Sequence, residues 1–483
     1  MIRKGIGILM LLIPAVVPVN GSAAENTATA ANDVTRIGVV HDDTLFVDRG
    51  KILLSARQGN EMLAASQAMQ DAAAADAQGA WRGFLPQMQL GEFFLRSDDA
   101  LSSFGFRLQN RAVNPQTDFG PVGLNYPGET NQRITRLQLL QPLFNGGMGL
   151  FGKQAANAAS DAASLDHQRA GQTVALKAIE AYEGLALAQA YERVMKAAVA
   201  SAEGHVGQAQ SMVDNEMATE ADLLQAKVYL SGLQQRFIEV QNMVAVAGQY
   251  IKLLTAVDTD LPLAVARDLE VEPVTPPPAQ FDPAGSRSRA DIAARRKQAD
   301  AAGKMVGVAR GAMLPHVNLG VQKDYYSQDK IFGNDADSWT LGVYATWDVF
   351  KGLQNISALK KARAQERAAR YMADFETRQA GVQATEAWLN LAAAHDKVAV
   401  AREAVTSARE GLRIVTNQYR EGLVSMVDLL DTQAAANMAE GNLVQALHDY
   451  QVGLARLEYM AAVPVGADVL DRRDSNANPE QDR

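Results

Sequence analysis

Two late stretches of the chain alternate apolar and polar residues with period two. Val317, Leu319 and Val321 alternate with His316, Asn318, Gly320 and Gln322. Trp339, Leu341, Val343, Ala345, Trp347 and Val349 alternate with Thr340, Gly342, Tyr344, Thr346 and Asp348. This spacing predicts two strands, each with one apolar and one polar face. An earlier pair keeps the same phase at Met88 and Leu90, then at Leu137, Leu139 and Leu143. Glu92 interrupts its apolar face, and Gln141 stands where the later pair has Trp347. The connection within the first pair, about 97–132, is long and rich in Asn, Gly and Pro. The second connection, about 327–337, is short.

After each pair the period changes. Residues 153–213 and 353–418 hold no proline and are dense in Ala, Gln, Glu, Arg and Leu. Each predicts a helix of about 60 residues, a rod of roughly 90–100 Å. Short breaks follow at Asp214–Thr219 and Arg420–Ser425, and a second helix then returns. In the first case its apolar positions are Leu223, Ala226, Leu230, Leu233, Phe237, Val240, Val244, Ala247, Ile251 and Leu254. Steps alternating between three and four make a heptad seam. Leu443, Ala446, Tyr450, Gly453, Leu457 and Met460 carry the seam in the later helix. A further helix is expected from about Lys51 to Trp81, ended by Leu85-Pro86, while 25–50 has no clear period.

The two halves are copies. A shift of 206 positions places Phe144 on Phe350, Gly146 on Gly352, Glu180 on Glu386 and Asp222-Leu223-Leu224 on Asp428-Leu429-Leu430. A shift of 229 places Leu85-Pro86 on Leu314-Pro315. The difference between the shifts, 23 residues, is an insertion in the first copy between 91 and 144. Internal repetition of this kind sets an architecture in which one unit is built twice. The expected organisation is a first repeat at 45–257, a Pro-rich connector at 258–285, a second repeat at 286–465 and a charged, Asn-rich tail at 466–483.

Composition narrows the compartment. Arg3 and Lys4, the apolar run Ile6–Val19 and Ser22-Ala23-Ala24 have the form of a secretory signal over 1–24. Removing it takes the formal net charge from −9 to −11, a balance that disfavours nucleic acid as a partner. The chain has no cysteine, so it has neither disulfides nor a lipoprotein acylation site. No later segment offers 18 consecutive apolar residues, so no transmembrane helix is expected.

By alternation alone, the strands suit either a lipid-facing sheet or a soluble sheet packed on helices. The signal, the missing cysteines and the attached rods favour the membrane. Four strands cannot close a barrel, and lipid does not tolerate an open sheet edge. Such a chain must associate, and three copies supply 12 strands, an even number known for outer-membrane barrels. Trp339 and Trp347 on the apolar face would stand about 20 Å apart along the membrane normal, close to the spacing of aromatic girdles.

Other chemistry is thin. Gly147-Met148-Gly149-Leu150-Phe151-Gly152 spells a dinucleotide fingerprint after a strand. A helix of about 60 residues follows it instead of a βαβ unit, so the glycines are assigned to a tight turn. The histidines His41, His167, His205, His316, His395 and His448 show no zinc spacing. No cofactor, metal site or enzyme motif is expected. Asp428 and Asp431 lie three apart and share a helix face, where they are candidates for concentrating negative potential.

These features resemble the TolC-like outer membrane efflux proteins over about residues 45–465. The resemblance rests on the tandem order of helix, two strands, long helix and helix, and on the Leu-Pro before each first strand. It rests also on Gln141-Pro142-Leu143-Phe144-Asn145-Gly146-Gly147, and on Tyr419-Arg420-Glu421-Gly422-Leu423-Val424-Ser425 followed by Asp428-Leu429-Leu430-Asp431. It implies an α+β membrane protein whose tandem-repeat protomer forms a homotrimer. The trimer would have a 12-stranded β-barrel in outer-membrane lipid and a 12-helix periplasmic α-barrel. A periplasmic adaptor (membrane fusion protein) and an inner-membrane pump of the RND or ABC type are the implied partners.

By the same resemblance, Asp222, Tyr419, Asp428 and Asp431 form a periplasmic gate. Asp214, Asn215, Glu216, Arg420, Glu421, Gly422 and Leu423 form adaptor-docking tips. The first tip departs from the family in carrying Glu216 for the usual glycine, and Val424 replaces a basic gate residue of some members. The expected function is a passive exit duct for small-molecule efflux. A type I protein-secretion duct is the alternative within the fold, and a periplasmic coiled-coil structural or adaptor protein is the alternative outside it.

Overall fold

The computed structural model describes residues 34–269, 274–277 and 281–462. The expected signal segment and the tail after 466 lie outside the described residues. In chain order the main elements are β1 (Gly38–His41), β2 (Thr44–Val47), α1 (Arg49–Gly59), α2 (Glu61–Gly79), β3 (Gln87–Ser97), α3 (Ala100–Gln109), α4 (Pro115–Asp118), α5 (Pro121–Asn125) and β4 (Thr130–Asn145). Then follow α6 (Met148–Asp214), α7 (Glu220–Thr255), β5 (Leu263–Val265), α8 (Ala290–Gly311), β6 (His316–Ser327), β7 (Ala336–Thr346), α9 (Gln354–Arg420) and α10 (Met426–Met460). The two long helices each run 67 residues, with breaks where the sequence places them. The chain divides into two compact units.

One unit takes the described parts of Met1–Asn60, with Lys177–Glu272 and Val405–His448. It holds a small sheet in the order β1-β2-β5, antiparallel between β1 and β2 and parallel between β2 and β5. This corrects the irregular reading of 25–50 and gives part of the connector a regular structure. Strands of three and four residues are too short to show a period. Leu45, Val47, Leu263 and Val265 are buried in this sheet. Gln189 of α6 satisfies the β5 edge, donating to Leu263 O at 2.9 Å and accepting from Val265 N at 3.0 Å. The helix expected over Lys51–Trp81 is broken at Asn60 and resumes as α2; the Asn60 side chain donates to Leu254 O at 3.1 Å. The α7 seam is confirmed: Leu223, Ala226, Leu233 and Ile251 are buried.

The other unit takes Glu61–Leu176, Pro273–Ala404 and the described part of Asp449–Arg483. Its sheet runs β3-β4-β6-β7, antiparallel throughout, with one irregularity between Pro142 and Phe144. The registers place Met88, Leu90, Leu137, Leu139, Val321, Leu341 and Val343 on one face, as the alternation predicts. Among the described residues none covers that face: Leu90 is 62% exposed and Val343 64%. Glu92 on it accepts a hydrogen bond from Thr135 Oγ1 across the strand pair at 2.5 Å.

The opposite face carries the row Gln89, Gln138, Gln322 and Thr340. Strand β7 ends at Thr346, earlier than the alternation implies, so Trp347 and Val349 lie beyond it. There the Trp347 indole donates to Met313 O at 3.0 Å. The long first connection is not a structureless loop, because α3, α4 and α5 occupy it. Asp99 caps α3 by accepting from Ser102 N, and Pro115 and Pro121 start the two short helices.

Candidate functional site

Both helix turns fall in the first unit and share one construction. After α6, Glu216 N donates to Val213 O at 3.0 Å and Met217 N to Met212 O at 2.8 Å. After α9, Gly422 N donates to Tyr419 O at 3.0 Å and Leu423 N to Gln418 O at 2.9 Å. This is the Schellman closure, which needs a left-handed residue at its turn. Glu216 takes φ +59° and Gly422 +72°. The departure at Glu216 therefore leaves the turn geometry unchanged.

The helices that return from these turns start alike too. Thr219 caps α7, and Asp222 Oδ2 accepts from Thr219 N at 3.0 Å and Thr219 Oγ1 at 2.8 Å. Asp428 Oδ2 accepts from Ser425 N at 3.1 Å and Ser425 Oγ at 2.6 Å. Each is a capping box that satisfies orphan N–H groups of the first turn. The Ser425 hydroxyl holds the Asp428 carboxyl below its ordinary range. Asp222 and Asp428 are thus first of all cap residues, and Asp431 lies three positions on with its carboxylate exposed.

Tyr419 is only 3% exposed, in a cluster with Ala209, Leu223, Ala226, Met426, Leu429 and Leu430. Its hydroxyl has no hydrogen-bond partner among the described residues. Burial, and secondarily the charge of Asp222, push its pKa up. The two expected partners are thus neighbours that feel one another, while the Asp222 carboxylate is bonded to Thr219.

Asp214, Asn215, Glu216, Arg420, Glu421, Gly422 and Leu423 are all exposed. Met217 and Leu423, which follow the left-handed residues, are 64% and 73% exposed. Residues 214–222 carry four acids and no base, so the first turn is strongly negative. Trp339 lies on the apolar face of β7 and Trp347 just past its end, and both are exposed. They belong to the second unit, away from the turn residues in the chain.

Sequence reasoning missed a polar chain that joins α6, α7 and α10. Ser201 Oγ donates to Gln433 Oε1 at 2.7 Å, and His205 Nε2 lies 3.1 Å from the same oxygen. Gln433 Nε2 donates to Asn437 Oδ1 at 2.9 Å, and Asn437 Nδ2 to the Tyr229 hydroxyl at 3.3 Å. His205 and Gln433 are both buried. Beside the chain is a groove of about 710 Å³ lined by Tyr229, Leu233, Arg236, Asp431, Asn437 and Met438 among others. Only the repeat held a signal for it: Gly411 and Lys227 are the counterparts of His205 and Gln433, so the copies diverge here.

Comparison with known proteins agrees with this architecture. A family model described as outer membrane efflux protein matches residues 52–256 and 286–462. The chain is 24% identical over 379 residues to the outer membrane efflux protein BepC of Brucella suis, covering 77% of this chain and 79% of BepC. It is 21% identical over 342 residues to the alkaline protease secretion protein AprF of Pseudomonas aeruginosa, covering 70% of this chain and 71% of AprF. The solved Campylobacter jejuni CmeC outer membrane channel superposes with a TM-score of 0.75 at 17% identity, covering 88% of each chain. The chain belongs to the outer membrane efflux protein family: it is an outer-membrane exit duct with a periplasmic helical extension.

Proposed function

We propose that the chain works as a homotrimer, the outer-membrane component of a tripartite export system. The observation that carries this reading is the four-stranded sheet whose apolar face is uncovered. Its outer strands β3 and β7 have no further partner in the sheet order. Three such sheets joined edge to edge make a closed 12-stranded wall, which lipid requires. Trp339 and Trp347 then border the apolar band. The two repeats, 45–257 and 286–465, each supply one hairpin and one pair of helices to the wall, and 258–285 bridges them.

The helix turns are the adaptor-docking tips. Exposed Met217 and Leu423 supply apolar contacts, and the acids around them attract a basic partner surface. Asp222, Tyr419, Asp428 and Asp431 form the periplasmic gate, where carboxylates repeated around a threefold axis favour cations. The substrates are small molecules driven by an inner-membrane pump, since a duct of this kind holds no energy source. AprF is named for protease secretion, so protein export is the second reading.

Purification in mild detergent tests the assembly: a trimer that conducts ions in planar lipid is expected, and a non-conducting monomer overturns it. A deletion strain assayed for drug accumulation and for loss of secreted proteins separates the two cargo classes.

A further inference from the structure

The insertion that lengthens the first hairpin lies across the polar face of the sheet. Ser103 Oγ of α3 donates to Ser97 O on β3 at 3.0 Å. Asn110, which caps α3, donates through Nδ2 to Gln132 Oε1 on β4. Arg111 takes a left-handed φ of +58° and reaches Asp337 Oδ1 on β7 at 3.3 Å. The Asn110 tie is on the polar face, whereas Asp337 shares the register of Trp339 and Leu341, so Arg111 reaches over the end of the sheet to β7.

Beneath it the polar face is buried on β4, β6 and β7, while Phe93 and Leu95 of β3 remain exposed. Gln132 and Ser103 are fully buried, and Ile134, Tyr326 and Ala336 form a buried cluster. Ile134, Tyr326 and Ala336 are cross-strand partners on the polar face, opposite the exposed apolar one. The insertion is also braced within itself, since Asp118 accepts from Arg107 Nη1 at 2.5 Å and from Asn114 N at 2.7 Å. Leu101, Val122 and Tyr126 remain exposed on it. The second hairpin turns in a few residues and has no such cover.

We infer that residues 98–129 are a fixed cap that narrows the outer mouth of the duct and sets the size of solute that can pass. This rests on the exit-duct reading, which makes the polar face the lumen wall. The hairpin turns are at the end of the sheet away from the long helices, so the cap is at the cell-surface end. Three caps about one axis narrow the opening from three sides, with an apolar rim that disfavours bulky hydrated solutes. The cap holds export to small solutes.

The absence of cysteine gives a direct test. Thr340→Cys places one thiol on the polar face, four residues or about 13 Å along the strand from the buried Ala336. Intact cells are treated from outside with a small charged maleimide and with one carrying polyethylene glycol of about 5 kDa, since labelling follows access to the thiol. The comparison is T340C alone against T340C with 98–129 replaced by a copy of 328–335. The small reagent labels both, and the large one labels the capless trimer about tenfold faster or more.

Equal rates for the large reagent in the two trimers overturn the cap. No labelling by the small reagent in either overturns the duct reading itself, and the cap with it. If the replaced hairpin does not assemble, Asn110→Ala with Arg111→Gln keeps the chain length and removes two ties. Faster labelling by the large reagent is expected there too, and an unchanged rate counts against the cap.

Discussion

Glu216 and Gly422 lie 206 positions apart and occupy the same backbone state, with φ +59° and +72° and matching pairs of closing hydrogen bonds. Three further pairs share the offset and the left-handed state: Gly146 with Gly352, Gly147 with Leu353, and Ala256 with Ala462. The repeat is therefore kept in the backbone even where residue type has drifted. A side chain in this region costs roughly 1–2 kcal/mol that glycine avoids.

Glu216→Gly removes that strain at an exposed turn residue. The expected result is a gain of about 1 kcal/mol, seen as a higher unfolding midpoint of the trimer. A lower midpoint would mean that the Glu216 side chain does more than the turn requires.

The two capping boxes make a matched pair of tests. Thr219→Ala and Ser425→Ala each remove a cap and should each cost about 1 kcal/mol. The Asp428 carboxyl, held low by Ser425, adds a pH dependence. Its folded pKa lies below the unfolded value, so its stabilisation is present above the ordinary carboxylate range. It is lost as pH falls through the lower folded value. Acid unfolding of the α10 start should begin at higher pH in Ser425→Ala than in the parent, as hydrogen exchange at Met426–Leu430 would report.

Selectivity at the proposed gate requires that capping be separated from charge. Asp428→Asn keeps an N3 side chain that can still accept from Ser425, and Asp431→Asn has no cap to lose. Reversal potentials across a salt gradient should show a weaker cation preference in the double variant. An unchanged preference removes both carboxylates from that role.

Tyr419 packs as an apolar side chain with an unmatched hydroxyl. An unsatisfied buried polar group costs about 1–3 kcal/mol, so Tyr419→Phe should leave the trimer as stable or more stable. Conductance through the closed duct should not change if Asp222 serves only its own cap. A rise in conductance would show that the Tyr419 hydroxyl meets Asp222 in the assembled gate.

Gln433 ties Ser201 and His205 of α6 to Asn437 of α10. Gln433→Leu removes the acceptor that Ser201 and His205 share in a buried site and should cost about 1–3 kcal/mol. Gln433→Glu, which keeps an acceptor toward Ser201 and His205, should lose less. Thermal midpoints of the two variants decide it.

Much of the fold was legible. Period two gave the four long strands with their faces assigned, and the loss of proline with a change of period gave the long helices and their breaks. Cap residues at Thr219 and Ser425 stand where the helices restart. The short strands β1, β2 and β5 were hidden because runs of three or four residues carry no period. Strand β7 was overextended because alternation continues past Thr346 although pairing with β6 does not. The turn residues and carboxylates were legible as positions, whereas the use of Asp222 and Asp428 as caps required the hydrogen bonds themselves.

What the chain alone determines is the repeat and the periodicity, because both depend on residues close together or on one fixed offset. It also determines that the strands have an apolar face, which demands lipid or another cover. Only the tertiary structure decides that Asn110 ties the first insertion to Gln132 on the polar face, that Arg111 reaches Asp337 at the end of β7, and that His205 meets Gln433, 228 positions away. Such contacts arise when helices and strands pack together, and no local pattern of polar and apolar residues encodes which distant side chains will meet.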